Sequence, residues 1–554
     1  MDGTDATHVE WREWGQEAFE DADRTGRPVL LSLVTPWSAE CHEMDERTYG
    51  EPRVAAHVND GFVPVRVDAD RHPRVRERYN MGGFPSTVFL TPSGQVIAGA
   101  TFLGVGGFRG ILDSVREAWD SRGEQAGSVP RVLQGDEPPG GDLDTRAEER
   151  MVEQLLGTYD EEYGGWGDGV KFPLPRTIEF ALVRAREQAL RTLEAVRTHL
   201  LDTYDGGFYR FARNRDWRGA RREKLTDETA ALVRAFAHAY RYTGETAHRE
   251  AAERGVEYLT TTLWTGEAFG ASQGGDEAYF RLEPTEREEA DPPAVDRTVL
   301  ADRNGLAVDA LLRLAAYTDD ERAVRYARRA REYVCTELVE DGRVTHYSES
   351  RGWSTDEGGV TRGTGESGLL LDQARLLTGL TSSWEVLGEP GPAVAVADWT
   401  VEHLQTASGA FRDGPTSGVG LLAEPLYPLD TAVEAADALL DLAALTGDSR
   451  YRESARSALA AFAGASDRMG VEVAGYASAV ARLREPRAVE VGTPAGSSLH
   501  RAALRLADHE SVVVPGAHDR TGGPDAGGAR LVVDGTERGR ADTPATLEAL
   551  LTGE

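Results

Sequence analysis

Glycine–aromatic loops recur along this chain: Tyr163-Gly164-Gly165-Trp166-Gly167, Gly206-Gly207-Phe208-Tyr209, Ala268-Phe269-Gly270 and Gly409-Ala410-Phe411. Asp341-Gly342-Arg343 holds an equivalent place, with its aromatic delayed to Tyr347. They punctuate about twelve Ala/Leu/Arg-rich stretches between residues 144 and 484, whose apolar positions follow the period of a helix. A helical hairpin cannot bury its apolar stripe alone, so a chain of such hairpins must stack them. Two architectures satisfy that demand: an open solenoid, or a ring of six hairpins closed into an (α/α)6 toroid. The closed ring is the expectation and the solenoid its alternative.

The N-terminal 122 residues read differently. Pro28 to Val34 is an apolar run with strand composition, and Phe62-Val63-Pro64-Val65-Arg66-Val67-Asp68 alternates at period two. Strand-like runs flank the turn Pro92-Ser93-Gly94, and helices are expected over about 40–59 and 107–122. Between the first strand and the first of these helices lies Pro36-Trp37-Ser38-Ala39-Glu40-Cys41-His42-Glu43-Met44, followed later by Gly83-Phe84-Pro85. This is the layout of a thioredoxin fold, with Ser38 where the first cysteine of Cys-x-x-Cys belongs. Dithiol exchange needs one thiolate to attack and another to resolve, so Ser38, Cys41, His42 and Pro85 read as the remnant of a redox site. Cys41 is either a monothiol activated by a helix N-terminus or a small buried hydrophobe. Cys41 and His42 do not make a closed zinc site, and neither a metal nor a cofactor is expected. Cys335 is the other cysteine, which argues against a disulfide framework.

The expected fold class is therefore α/β plus all-α multidomain: a thioredoxin-like domain (1–122), a linker rich in Gly and Pro (123–143), the toroid (144–484) and a small C-terminal α/β segment (485–554). Acidic residues number 93 against 61 basic ones, for a net charge of -32, and Lys171 and Lys224 are the only lysines. Such a surface resembles those of halophilic proteins, where concentrated salt screens self-repulsion. It argues against nucleic acid or anionic membrane as a partner. The acidic N-terminus has no signal-peptide pattern and no apolar run reaches about 18 residues, so a soluble, cytoplasmic protein is expected.

Ordered motifs of one known pattern run along nearly the whole chain. The N-terminal matches are Trp14, Glu17-Ala18-Phe19, Cys41-His42, Met44, Val67-Asp68 and Gly83-Phe84-Pro85. Further on come Lys171-Phe172-Pro173, Gly206-Gly207-Phe208 with Arg210 and Trp217, Glu223-Lys224, Asn304-Gly305-Leu306 and Leu371-Asp372. Together these residues resemble the spermatogenesis-associated thioredoxin-like family, as a haloarchaeal-type member, and the resemblance implies a thioredoxin-like domain joined to a six-hairpin toroid similar to those of glycoside hydrolases and sugar epimerases. The chain departs from the family pattern where Ser38 replaces a cysteine, where Ala220-Arg221-Arg222 loses a histidine, and where Val533 and Arg538 stand for two tail cysteines.

Carbohydrate chemistry in a toroid needs acids that flank a bond. Glu223, Asp168 and Asp372 are the catalytic candidates. Lys171, Arg210, Lys224 and Asp227, with Trp166, Phe208 and Trp217 as stacking surfaces, are the candidate ligand-binding residues. The two lysines either hold a structural ion-pair network, with Asp168 and Glu223 as partners, or line a cleft; the aromatics either meet a sugar or plug the barrel mouth. Of the histidines, His346 falls in a toroid loop. The functional expectation is a degenerate redox site beside a toroid that binds a small, sugar-like ligand. The alternatives are a non-catalytic binding or regulatory protein, and a monothiol redox protein using Cys41.

Overall fold

The apolar run Val29–Val34 (β1), interrupted only by Ser32, becomes an inner strand of a four-stranded sheet in the computed structural model, which describes residues 8–134, 137–348, 365–520 and 522–552. Strand order is β2-β1-β3-β4, with β2 (Val63–Asp68) parallel to β1, and β3 (Ser86–Leu90) and β4 (Val96–Ala100) antiparallel. Alternation along β1 divides its side chains between two cores. Leu31 and Leu33 pack with Phe19, Val75 and Tyr79 on one face, and Leu30 packs with Tyr49, Phe62, Phe89 and Phe108 on the other. Helices α1 (Gln16–Thr25), α2 (Ala39–Met44), α3 (Pro52–Gly61), α4 (Pro73–Tyr79) and α5 (Val105–Arg122) complete the layers. The single helix expected over about 40–59 is broken: α2 runs into a π-helical turn at Asp45–Tyr49, and α3 restarts at Pro52. Proline has no N–H to give, so it opens a helix and does not continue one.

Two segments far along the chain, Gly274–Asp296 and Asp413–Leu426, group with this first unit. The first carries the short helix α11 (Pro284–Arg287) and donates Gly275 N to Trp37 O at 3.4 Å. The second is bound through Asp413, which accepts from Arg78 Nη1 at 2.6 Å and Arg74 Nε at 3.3 Å. Residues 123–134 also pack here, Ser128 pairing with Val96 and Leu133 lying in the core.

The second unit contains the hairpins. Inner helices α7 (Pro175–Arg184), α9 (Thr226–Thr243), α12 (Ala301–Thr318), α14 (Leu370–Leu387), α16 (Leu429–Thr446) and α18 (Ala474–Arg484) pack each on the next, and α18 returns to α7. That closure excludes the open solenoid: the second unit holds an (α/α)6 toroid. Outer partners are α8 (Arg186–His199), α10 (Thr246–Thr261), α13 (Glu321–Glu337), α15 (Ala393–Leu404) and α17 (Ser449–Ala460), with α6 (Ala147–Gly157) packed on α18. Burial separates the two rings. Helix α12 is buried on almost every side, whereas α13 buries the single stripe Ala323, Ala327, Ala330 and Val334. Where α12 meets α14, Gly305 and Gly379 bring the backbones together: a Cβ on Gly305 would lie 2.4 Å from Arg375 O.

After α18 come α19 (Ser498–Leu506), α20 (Pro544–Thr552) and a mixed sheet ordered Val512–Val514, Arg487–Val491, Ala529–Val533, Thr536–Ala541. Its last strand, Thr536–Ala541, reads Thr-Glu-Arg-Gly-Arg-Ala. It is a polar edge strand, which carries no apolar alternation.

Candidate functional site

The two lysines resolve first, and they correct the expected pairing. Lys171 Nζ donates to Asp160 Oδ2 at 2.9 Å and Gly167 O at 2.6 Å, while Asp168 is exposed. Lys224 Nζ donates to Asp202 Oδ2 at 2.8 Å and Gly206 O at 2.7 Å, not to Glu223. The two sites repeat one construction, Asp-x-x-x-Gly-Gly-aromatic. Asp160 Oδ1 and Asp202 Oδ1 each accept the N–H groups two and three residues on, and the paired glycines take positive φ, 75° and 75° in the first loop and 78° and 74° in the second. Only glycine adopts that conformation freely, and a lysine closes each turn. Both lysine side chains are fully buried, so they are structural.

The aromatics follow the same logic. Trp166 Nε1 donates to Leu155 O, Trp217 Nε1 to Tyr163 O, and Phe208 stacks on Phe236 with centroids 5.5 Å apart. All three are buried. They plug loops and present no face to a sugar.

The middle of the toroid is filled by charge. Arg234 is held by Glu179 and Asp309, Arg313 by Asp309 and Glu385, and Arg482 by Asp437 and Asp441. The cavity left among them is about 70 Å³.

The remaining open chemistry lies at the N-terminal ends of the inner helices. Four of these helices begin with an acid in the first turn: Asp227 and Glu228 on α9, Asp302 on α12, Asp372 on α14 and Asp430 on α16. Ring closure gathers them. Arg375 bridges α12 and α16, with Nη1 3.1 Å from Asp302 Oδ2 and Nε 2.9 Å from Glu434 Oε2, and lies 3.7 Å from Asp227 Oδ2. Arg303 Nε is 3.4 Å from Asp227 Oδ1, and Arg210 Nε is 3.5 Å from Glu228 Oε1. Asp227, Glu228, Arg210 and Arg375 are half-buried, and Asp430 is exposed.

Glu223 is buried beside the mouth, with Oε1 accepting from Arg221 Nη2 at 2.7 Å. Glu223 Oε2 and Glu228 Oε2 are buried and accept no hydrogen bond among the described residues. Burial, with Asp227 adding to it and Arg210 opposing, raises the Glu228 carboxyl to about 7. Asp372 is fully buried against His346, whose Nδ1 lies 2.9 Å and 3.0 Å from its two oxygens. Burial pushes the Asp372 carboxyl above its usual range, against the pull of His346.

Of the sequence candidates, Arg210, Asp227 and Asp372 belong to this end and Glu223 adjoins it. Asp168, Lys171, Lys224 and the three aromatics are not brought into it. Sequence reasoning missed Asp302, Arg303, Arg375 and Glu434, and did not pair His346 with Asp372. The available signal was an acid in the first turn of four of the six inner helices, which also has the ordinary explanation that carboxylates suit helix N-termini.

In the first unit, Ser38 caps α2, its Oγ accepting from Cys41 N at 3.4 Å and lying 3.4 Å from Phe84 O. The Phe84–Pro85 bond is cis. Trp37 Nε1 donates to Asp70 Oδ2 at 2.8 Å, and His42 Nε2 lies 3.0 Å from Pro36 O. Burial first, then Asp70 and Asp296, push Asp68 to about 7. Cys41 is buried, and that burial raises its thiol to about 11 despite the Ser38 and Thr35 hydrogen bonds. The helix N-terminus therefore does not activate it.

Residues 3–133 match a thioredoxin-like family model described as "Protein of unknown function, DUF255". This stretch carries a thioredoxin-like domain. Over 295 residues the chain is 29% identical to spermatogenesis-associated protein 20 of Homo sapiens, covering 46% of this chain and 37% of that protein. The chain thus spans little more than a third of the length of the curated relatives it matches. Among solved structures it is similar to a sugar epimerase from a ruminal bacterium (TM-score 0.44, 14% identity, 56% of this chain and 82% of that one). It is also similar to cellobiose 2-epimerase from Spirochaeta thermophila DSM 6192 (TM-score 0.44, 18% identity, 56% and 83%). No helix among the described residues is long and apolar enough to cross a membrane.

The thioredoxin-like domain is expected to lack dithiol oxidoreductase activity. Ser38 cannot form the mixed disulfide that begins exchange, and a thiol raised to about 11 supplies almost no thiolate at neutral pH. Insulin reduction with dithiothreitol should run at the background rate. A faster rate abolished by Cys41→Ser would contradict this.

Proposed function

We propose that the toroid binds a small, polyhydroxylated, sugar-like ligand at the N-terminal ends of its inner helices, with Glu228 as the acid that meets it. One observation carries this reading: two buried carboxyl oxygens, Glu223 Oε2 and Glu228 Oε2, have no donor among the described residues. Glu228 lies beside half-exposed Asp227 and Arg210, and Arg375 lies 3.7 Å from Asp227. A buried acceptor without a donor costs about 1–3 kcal/mol, and sugar hydroxyls are donors of the right size. Arginine and carboxylate side by side also suit the two faces of a hydroxyl, which donates and accepts.

A carboxyl titrating near 7 is half protonated at neutral pH and can give or take a proton. Among the described residues, the lumen arginines and carboxylates are paired with one another. The half-buried acids of the mouth therefore favour a ligand there over a purely structural toroid.

The test is a binding titration of neutral mono- and disaccharides by calorimetry from pH 5 to 9. Affinity is expected to rise as pH rises through about 7, where Glu228 loses its proton and becomes the stronger acceptor for sugar hydroxyls. Glu228→Gln, which keeps the uncharged form, should flatten that profile. Saturable binding with the same pH profile in Glu228→Gln would remove Glu228 from the site, and an absence of saturable binding across the panel would overturn the reading.

A further inference from the structure

Asp302, His346 and Asp372 come from three separate elements: the first turn of α12, the loop before the Tyr347–Ser348 bridge, and the first turn of α14. All three are buried, and each offers a ligating atom within 4.8 Å of the other two. Asp372 Oδ1 also accepts Asp302 N at 3.2 Å. We propose that these three side chains bind one divalent transition-metal cation of the Mn²⁺ or Zn²⁺ type.

Three observations support the proposal. The first is geometric. Imidazole and carboxylate ligands at about 2.0–2.2 Å from an ion lie roughly 3–4 Å apart, so the observed cluster needs only small side-chain shifts to close. The second is a missing hydrogen bond. Asp302 is buried, its Oδ2 is held by Arg375, and its Oδ1 is buried and accepts nothing among the described residues. A buried carboxylate oxygen with no donor calls for a cation.

The third is charge. Among the described residues, Asp302 meets the Arg375 guanidinium, which Glu434 shares, and Asp372 meets the His346 imidazole, so the two carboxylates of the cluster are short of positive charge. One nitrogen and two oxygens suit Mn²⁺, Fe²⁺, Co²⁺ or Zn²⁺ better than the all-oxygen preference of Ca²⁺.

On binding, His346 Nδ1 exchanges its hydrogen bond with Asp372 for the metal. Any proton shared by His346 and Asp372 is released to solvent. The site does not depend on the sugar-like ligand: the metal and the saccharide are assayed separately, and either can bind when the other does not.

Full-length protein stripped with EDTA and dialysed free of chelator is titrated with Mn²⁺ and Zn²⁺ by calorimetry in two buffers of different ionisation enthalpy. One equivalent per chain with proton release is expected. Co²⁺ should give a visible spectrum that shifts in His346→Gln. Asp302→Asn, which keeps the side-chain shape, should weaken binding by more than about tenfold, since even outer-shell changes cost 10- to 100-fold. Metal-free melting of Asp302→Asn and His346→Gln checks that each variant folds, and Asp372→Asn supplies a third if one does not. No stoichiometric binding, or one equivalent retained in Asp302→Asn and His346→Gln alike, overturns the proposal. A His–Asp pair held by a proton alone is the first of those results.

Discussion

Lys224→Ala is expected to lower the unfolding free energy by about 3–5 kcal/mol, the usual consequence of removing one partner from a buried ion pair. Lys224 has a fully buried side chain, and its ammonium sits between Asp202, Gly206 O and the face of Tyr258, 4.7 Å from the ring centroid. Truncation leaves the Asp202 carboxylate in a dry loop with backbone N–H groups from Tyr204 and Asp205 on its other oxygen. Urea denaturation followed by circular dichroism measures the change. Asp202→Ala combined with Lys224→Ala should cost less than the two single changes added together, because the double variant strands neither charge. A ligand-binding lysine would behave otherwise: stability would hold and saccharide binding would fall. An Ala variant as stable as the parent would return Lys224 to the list of ligand residues.

The second large effect is expected in the first unit. Asp413→Ala should also cost about 3–5 kcal/mol, since Asp413 takes two bonds from Arg78, at 2.6 Å and 3.2 Å, and one from Arg74 at 3.3 Å. Arg78 has no exposed side-chain surface. Without Asp413 its guanidinium would keep the carbonyls of Leu421 and Glu424 at 2.8 Å and 2.7 Å, which satisfy donors but do not neutralise charge. The same loss should free the Asp413–Leu426 segment, so limited proteolysis within 413–426 should quicken more than cleavage elsewhere. Unchanged cleavage there, with unchanged stability, would show that Leu421 and Leu422, buried in the sheet's core, hold the segment without the ion pair.

Much of the architecture was legible because it is periodic. The apolar run of β1, the alternation of β2 and the helical stretches each carry a local signal that survives without tertiary information. So do Gly164-Gly165 and Gly206-Gly207, whose backbone conformation excludes other residues. The lysine pattern was also informative: two lysines in a chain that otherwise uses arginine each turned out to close a loop. Their partners were misassigned because sequence proximity favoured Asp168 and Glu223. The real partners, Asp160 and Asp202, open the same loops 11 and 22 residues upstream. The three aromatics were harder still, since a sugar platform and a loop plug have one sequence signature, and only burial tells them apart.

The sequence by itself determined the elements and the redox deficit: hairpins that must stack, a sheet with a Ser-x-x-Cys turn, and one thiol where exchange needs two. These follow from local propensity, periodicity and the identity of single atoms. Tertiary structure decided the ring's closure through α18 on α7, the return of Asp413–Leu426 to the N-terminal unit, and the assembly of Asp302, His346 and Asp372 from positions up to 70 residues apart. Those depend on which faces meet across long chain separations. A carboxylate at a helix start looks the same in sequence whether it caps its own helix or faces five others across a ring.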